Sequence, residues 1–226
     1  MTRVLPRKPE PQSLAELLVR AQALAGHTVA EIALALGASV PSESCRAKGF
    51  VGELIEAALG ASPLAGDGPD FPHLGVELKT LPLTAAQRPK ESTFCCSIHL
   101  TDAVQEQWLS SRLRRRLAQV LWVPVVAPRT LAIGARRVMQ PFLWRPNAAE
   151  EAQLAADWED LMGKIATGAP PTAHEGVLLQ VRPKAADSRM RAWQVDDDGP
   201  ARVLPLGLYL RARFTATLLA DAAARG

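Results

Sequence analysis

Asp70, Glu77 and Lys79 fall close together in the segment Asp70-Phe-Pro-His-Leu-Gly-Val-Glu77-Leu-Lys79. On a strand, residues two apart share a face, so Glu77 and Lys79 point the same way while Val76 and Leu78 point into the core. His73-Leu74-Gly75 reads as a turn that brings Asp70 back beside Glu77. Two carboxylates and one ammonium then converge at the end of a strand pair. Hard oxygen ligands of this kind suit Mg²⁺, which keeps several waters for chemistry. The ammonium can orient an attacking water or offset charge developing on a phosphate. Alone, Glu-x-Lys fits an exposed ion pair of little consequence equally well. Glu56 sharpens the case. At about 100° per residue it flanks the apolar face of a helix, within reach of a neighbouring strand, whereas Glu53 points to solvent. The same position also suits an ordinary edge residue of an amphipathic helix.

Holding these groups requires a helix, a turn and a strand, and the pattern predicts each. Ser13-Leu-Ala-Glu16 reads as a capping box for a first helix, with Leu14, Leu17, Leu18, Ala21, Leu24 and Ala25 at helical spacing up to Gly26. Thr28-Val-Ala-Glu31 starts a second, short helix that Gly37 ends. A third runs from about 49 to 59 and buries Val51, Leu54, Ile55 and Ala58. Beyond the Gly/Pro-rich loop at 61–69 the period drops to two. Residues 75–83 and 92–100 alternate like half-buried strands, and 119–127 is an apolar central strand. Asn147-Ala-Ala-Glu150 caps a long helix ending at Gly168, with Leu154, Trp158, Leu161, Met162 and Ile165 as its core stripe. Residues 177–182 and 203–213 alternate as further strands, with three aspartates at 196–198 in the loop between them. Thr215 is expected to cap a final helix.

Composition narrows the class. The chain has 226 residues, 48% hydrophobic and 22% charged, enough to bury a core without disulfides or metals. No apolar run approaches the ~20 residues that span a bilayer, and the first twelve residues have no apolar signal region. Cys45, Cys95 and Cys96 make no paired framework, and no zinc spacing joins them to the four histidines. A protein of the cytoplasm, with no membrane partner and no structural zinc, is expected. The net charge of +3 hides segregation: no Asp or Glu lies between Glu106 and Glu150, while eight arginines do (Arg112, Arg114, Arg115, Arg116, Arg129, Arg136, Arg137, Arg145). Such an excess suits contacts with nucleic-acid phosphates, or else a solvated face paired by carboxylates elsewhere.

Taken together, Glu56, Asp70, Glu77 and Lys79 resemble the catalytic signature of the PD-(D/E)xK nuclease superfamily. The surrounding text is similar to the MutH family of methyl-directed mismatch-repair endonucleases and its relatives among GATC-cutting restriction enzymes. The matching segments include Ala47-Lys-Gly-Phe-Val-Gly52, Leu74-Gly-Val-Glu-Leu-Lys-Thr80, Thr93-Phe94, Val120-Leu-Trp-Val-Pro-Val125, Arg136-Arg-Val138, Leu143-Trp144, Asp157-Trp-Glu159 and Leu208-Tyr-Leu210. They run in order across essentially the whole chain.

The resemblance implies a restriction-endonuclease-like α/β fold, a mixed sheet flanked by helices, with two lobes around a DNA-binding cleft. The expected organisation is one endonuclease domain, 1–226, with a catalytic lobe at about 13–106 and a DNA-recognition lobe at about 107–226. Asp70 and Glu77, supported by Glu56, would hold one or two Mg²⁺ ions, and Lys79 would serve catalysis. Lys48 would sit near the scissile phosphate and Phe94 would engage DNA. Arg182, with Lys184 in the same Arg-Pro-Lys run, would help read GATC. Tyr209 would sense the adenine N6-methyl group, a modification that removes a donor hydrogen and demands room. The family has a lysine in the basic segment where this chain has Arg114-Arg-Arg116. Arg116 keeps the charge but presents a planar fork, which suits a phosphate clamp and not proton exchange. The implied activity is a nick in the unmethylated strand of hemimethylated GATC duplex by a monomer, stimulated by MutL, whose docking surface could include the last helix. Two alternatives remain at this level: a GATC-specific restriction enzyme of the same superfamily, or a DNA-binding module without chemistry.

Overall fold

The structure, a computed structural model, describes residues 5–41, 49–98, 106–169, 171–184, 192–196, 199–203 and 205–225, with backbone alone for 192–196 and 199–203. The elements in chain order are α1 (Leu14–Gln22), α2 (Val29–Ala35), α3 (Phe50–Leu59), β1 (Glu77–Leu83), β2 (Thr93–Ile98), α4 (Arg112–Leu117), β3 (Val120–Val126), β4 (Arg137–Val138), β5 (Phe142–Trp144), α5 (Ala148–Ala166), β6 (Leu179–Pro183), β7 (Ala192–Asp196), β8 (Gly199–Val203), β9 (Leu206–Leu210) and α6 (Ala212–Arg225). They form two units: Met1–Lys90 with Ala118–Arg145, and Glu91–Leu117 with Pro146–Gly226.

The first unit is built on β3, an apolar run buried along nearly its whole length, as a strand covered on both faces must be. β1 lies parallel to it, with Glu77 opposite Val120 and Lys79 opposite Trp122. β4 and β5 pair with β3 antiparallel, which makes the sheet mixed. Leu17 and Ala21 of α1, Val29 and Ile32 of α2, and Leu54, Ile55 and Ala58 of α3 share one core with Leu78, Leu121, Val123 and Val125. Each leucine, isoleucine or valine among them contributes about 1.5–3 kcal/mol by leaving water. Thr28 and Glu31 make the reciprocal capping box expected for α2. At α1 only half of it forms: Ser13 accepts from Glu16 N, but Glu16 reaches past it to Gln12 N. The helix then stops at Gln22, four residues before Gly26.

The second unit carries an antiparallel sheet in the order β2-β9-β6. Cys96, Ile98, Leu179, Val181, Leu208 and Leu210 are buried. α5 packs against β6, and its stripe of Leu154, Trp158, Leu161, Met162 and Ile165 is buried as predicted. Two expectations fail here. Residues 211–213 do not continue the strand: α6 begins at Ala212, Thr215 lies inside it, and its hydroxyl donates to Ala212 O. Burial of Phe214, Thr215 and Leu218 on one helical face outweighs the alternation read from 203 to 213. The expected loop is shorter than predicted: Asp196 ends β7 and Gly199 begins β8, the two strands pairing antiparallel from Ala192↔Val203 to Asp196↔Gly199, while Asp197 and Asp198 lie outside the described residues. Among the described residues, no helix is long and apolar enough to cross a membrane.

Candidate functional site

The acidic segment is shaped by its backbone. Pro72–Leu74 form one 3-10 turn, and Gly75 closes it at φ +63°, in the left-handed region that glycine adopts without a Cβ penalty. The two ends are then clamped, with Phe71 N donating to Val76 O (2.9 Å) and Val76 N to Phe71 O (3.3 Å). Phe71 and Val76 are both fully buried. Asp70 is thereby folded back onto β1, where its Oδ2 accepts from Leu78 N at 2.8 Å. Glu77 is completely buried, and its Oε1 accepts from the Lys79 ammonium, whose side chain is 12% exposed. The attraction within such a pair is stronger than at the surface because little water screens it, while removing either partner would leave a buried group without its counter-charge.

Glu56 arrives from α3. Burial pushes its pKa up, the negative charge of Asp70 adds to the rise, and Arg7 and Lys79 oppose it. Glu56 therefore senses both Asp70 and Lys79. Arg7 is held nearby by its bond to Ala61 O at 2.7 Å, and the strap carrying it runs against α3, with Lys8 N donating to Ala57 O. Gly60 ends α3 at φ +80°, and a Cβ there would lie 2.3 Å from Pro9 O.

Among the described residues, no three His, Cys, Asp or Glu side chains are grouped closely enough to cage one metal ion. Asp70 is bonded to the backbone beside the Glu77–Lys79 pair, and Glu56 feels the charges of Asp70 and Lys79, but the three carboxylates do not form a closed ligand set. Their chemistry still fits a divalent cation. Mg²⁺ is commonly held by one or two carboxylates, with water and substrate phosphate supplying the rest of its shell. Asp70 and Glu77 are such a pair, hard, anionic and close along the backbone.

Phe94, Arg116, Arg182, Lys184 and Tyr209 lie in the second unit. On the central strand of its sheet, Tyr209 faces Phe94 of β2 on one side and Gln180 of β6 on the other, while Gly207 faces Ser97 and Arg182. The Phe94 and Tyr209 rings meet edge to face, centroids 5.3 Å apart at 66°. Lys184 Nζ lies 4.9 Å from the Phe94 centroid and donates to Ser97 Oγ at 2.7 Å. Burial raises the Tyr209 pKa, and the positive charge of Arg182 works against the rise. Arg182 and Lys184 are exposed. One face of this sheet is buried and apolar; the other presents two rings and two cations. Arg116 is half-buried on α4, a basic helix that anchors itself through Leu113 and Leu117. Lys48 lies outside the described residues.

The run of eight arginines divides between the units: Arg112, Arg114, Arg115 and Arg116 belong to the second and the other four to the first. Several are engaged within the fold. Arg114 Nε binds Glu151 Oε1 at 2.6 Å, Arg145 binds Gln119, and Arg137 binds Gly26 O. One important residue carried no chemical signal of its own. Asp157, 5% exposed on α5, accepts from the backbone N–H groups of Val177, Leu178 and Leu179 and from Gln153 Nε2. It pins the start of β6, the strand that leads to Arg182 and Lys184. A buried carboxylate on an amphipathic helix, followed by a Gly near a strand start, was the available clue.

Known proteins resemble this chain over nearly its whole length. The sequence model of a family described as "DNA mismatch repair enzyme MutH" matches residues 59–157. The DNA mismatch repair protein MutH of Serratia proteamaculans is 44% identical over 220 residues, covering 95% of this chain and 96% of its own length. That of Vibrio cholerae is 44% identical over 215 residues, covering 94% and 97%. That of Pectobacterium atrosepticum is 45% identical over 213 residues, covering 93% and 92%.

Proposed function

The chain belongs to the MutH family and is a DNA endonuclease of mismatch repair, and from that premise we propose that it nicks the unmethylated strand of hemimethylated GATC duplex with Mg²⁺ held by Asp70 and Glu77. The observation that carries the site assignment is the Phe71–Val76 clamp, which sets the Asp70 carboxylate on Leu78 N, one residue from the buried Glu77–Lys79 pair. When bound, a divalent cation lowers the pKa of a water and polarises the phosphoryl group. The chain's own groups do the rest. The Leu78 N–H orients Asp70, so that one carboxylate oxygen is fixed and the other is left to bind. Lys79 supplies a positive charge in a site largely shielded from water, where it offsets negative charge building on the pentavalent phosphorus. Glu56, resistant to ionising alone, gains stability as a carboxylate when positive charge enters beside Asp70.

Reading falls to the second unit. Arg182 offers a fork suited to the acceptor edge of guanine, and Tyr209 stands beside it as the sensor of the adenine amino edge. Lys184 and Phe94 support that pair, and Arg116 contributes phosphate contact. Lys48, by family likeness, lies near the scissile phosphate. We assign the protein to the cytoplasm, acting as a monomer whose single site makes one nick, and stimulated by MutL.

The test presents unmethylated, hemimethylated and fully methylated GATC duplexes to the purified protein, with and without MutL and Mg²⁺. Nicking confined to unmethylated strands, protected by full methylation and lost in Asp70→Ala and Glu77→Ala, is the expected result. Double-strand cutting that ignores methylation would indicate a restriction enzyme. Wild-type rates in either variant would refute the assignment of the carboxylates.

A further inference from the structure

Gly207 sits in the middle of β9, where glycine weakens a strand and is found when another group must approach the backbone closely. Its φ is not positive, so the backbone there would accept any L-residue. The constraint is space. A Cβ at 207 would lie 2.9 Å from Phe94 Cε2, 3.2 Å from Tyr209 Cε2 and 3.2 Å from Cys96 O. The first distance is shorter than carbon atoms tolerate, and the carbonyl belongs to the paired strand β2 and cannot retreat freely. A ring would have to move.

Gly207 also faces Ser97 and Arg182 across the two neighbouring strands, and the Lys184 ammonium crosses from β6 to Ser97 over this same central strand. The bare backbone at 207 is the floor on which two rings and a lysine are stacked. We propose that Gly207 determines methylation specificity as a positioning residue: its missing side chain seats Phe94 and Tyr209 edge to face and so sets the room beside the adenine amino group. The inference rests on the reading of Tyr209 as the sensor of that group. The perturbation it identifies is small. One methyl added at 207 shifts the sensor ring, much as one methyl on the base changes what the ring must accommodate.

The test uses the full-length Gly207→Ala, Phe94→Ala and Gly207→Ala/Phe94→Ala proteins. Tyr209 is the sole tyrosine of the chain, so ring-labelled tyrosine gives a single set of NMR signals that reports the seat without any DNA. Gly207→Ala is expected to shift that signal and to reduce the preference for hemimethylated over fully methylated GATC by about tenfold. Removing the Phe94 ring relieves the shortest of the three contacts, so the double variant is expected to lose less thermal midpoint than the two single losses added together. An unchanged tyrosine signal in Gly207→Ala, or midpoint losses that simply add in the double variant, would overturn the seat. A discriminating wild type whose Gly207→Ala variant discriminates equally well would overturn the specificity role. A wild type blind to methylation would instead sink the proposed function, while the NMR and midpoint measurements still judge the seat.

Discussion

Asp157→Ala removes the acceptor for four donors. The Leu178 and Leu179 amides donate to Oδ2 at 2.6 and 2.8 Å, Val177 N lies 2.9 Å from both oxygens, and Gln153 Nε2 donates to Oδ1 at 2.9 Å. Only the Leu179 bond is fully buried. Val177 is 49% exposed, so its amide can turn to water once the carboxylate is gone. One stranded buried donor costs about 2–3 kcal/mol and two rehydrated ones about 0.5–1 kcal/mol each, so the loss at the three amides should be about 3–5 kcal/mol. Asp157→Asn can keep its oxygen where three amides converge; its NH2 then faces Gln153, whose amide must turn to accept, so the variant should lose the charge assistance and little more, about 1–2 kcal/mol. The turn itself cannot shift to compensate, because Gly176 packs so tightly that a Cβ there would lie 2.4 Å from Leu179 O. Urea unfolding measures the ladder, and amide hydrogen exchange at 177–179 localises it. Because β6 leads to Arg182 and Lys184, kcat/KM on GATC duplex should fall in the same order, Ala below Asn below wild type. An alanine variant within 1 kcal/mol of wild type, or with undiminished protection at those three amides, would refute the reasoning.

Other perturbations test separate parts of the molecule. Lys79→Met removes the ammonium from a wholly buried carboxylate and should cost on the order of 3 kcal/mol of stability; added Mg²⁺ should raise its thermal midpoint more than it raises that of wild type. Arg182→Ala should lower kcat/KM on GATC by about ten- to a hundredfold with little change in salt dependence, whereas Arg116→Ala should reduce the slope of log K against log salt by about one. Glu175, tied to Lys164 and to Thr172, has its carboxyl lowered to about 2. A carboxylate whose folded pKa lies below the unfolded value contributes stability above about pH 4.5 that is lost as pH falls towards 2. Glu175→Gln should therefore be less stable than wild type at neutral pH, with the two acid-unfolding curves converging near pH 2.

What the sequence made legible was local. The helix caps at Thr28 and Asn147, the apolar stripe of α5 and the turn at 73–75 all depend on contacts within a few residues, and each can be seen as a spacing of types. The pairings were not legible. Nothing in the text of β3 says that it runs parallel to β1 and antiparallel to β5, since an apolar run covered on both faces fits either. The failures share that cause. Residues 203–213 alternate as a strand should, but Phe214 and Leu218 have a core to enter and Arg211 and Arg213 find carbonyls at 177 and 179. Asp157 reads as one polar residue on a long helix because its backbone partners lie twenty or more residues away. Gly207 is silent for the same reason: what it makes room for comes from another strand.

The two proposed sets of functional residues are held by different means, and this separates what substitutions can do. Asp70 is fixed by main-chain bonds, those of the Phe71–Val76 clamp and of Leu78 N, and these rest on a core that includes Phe71, Val76 and Leu78. Hydrolytic geometry set in this way yields only when that core yields, so variation in side chains around it changes rate through charge and not through position. Arg182, Lys184, Phe94 and Tyr209 stand on a sheet face and are ordered by one another, ring against ring and ammonium over ring. Such contacts are worth about 0.5–1.5 kcal/mol each and re-form in other geometries. On the proposed assignment, recognition is therefore the adjustable property of this fold. A single methyl or methylene on that face can alter which duplex is accepted while the carboxylates and Lys79 keep the same capacity to cleave.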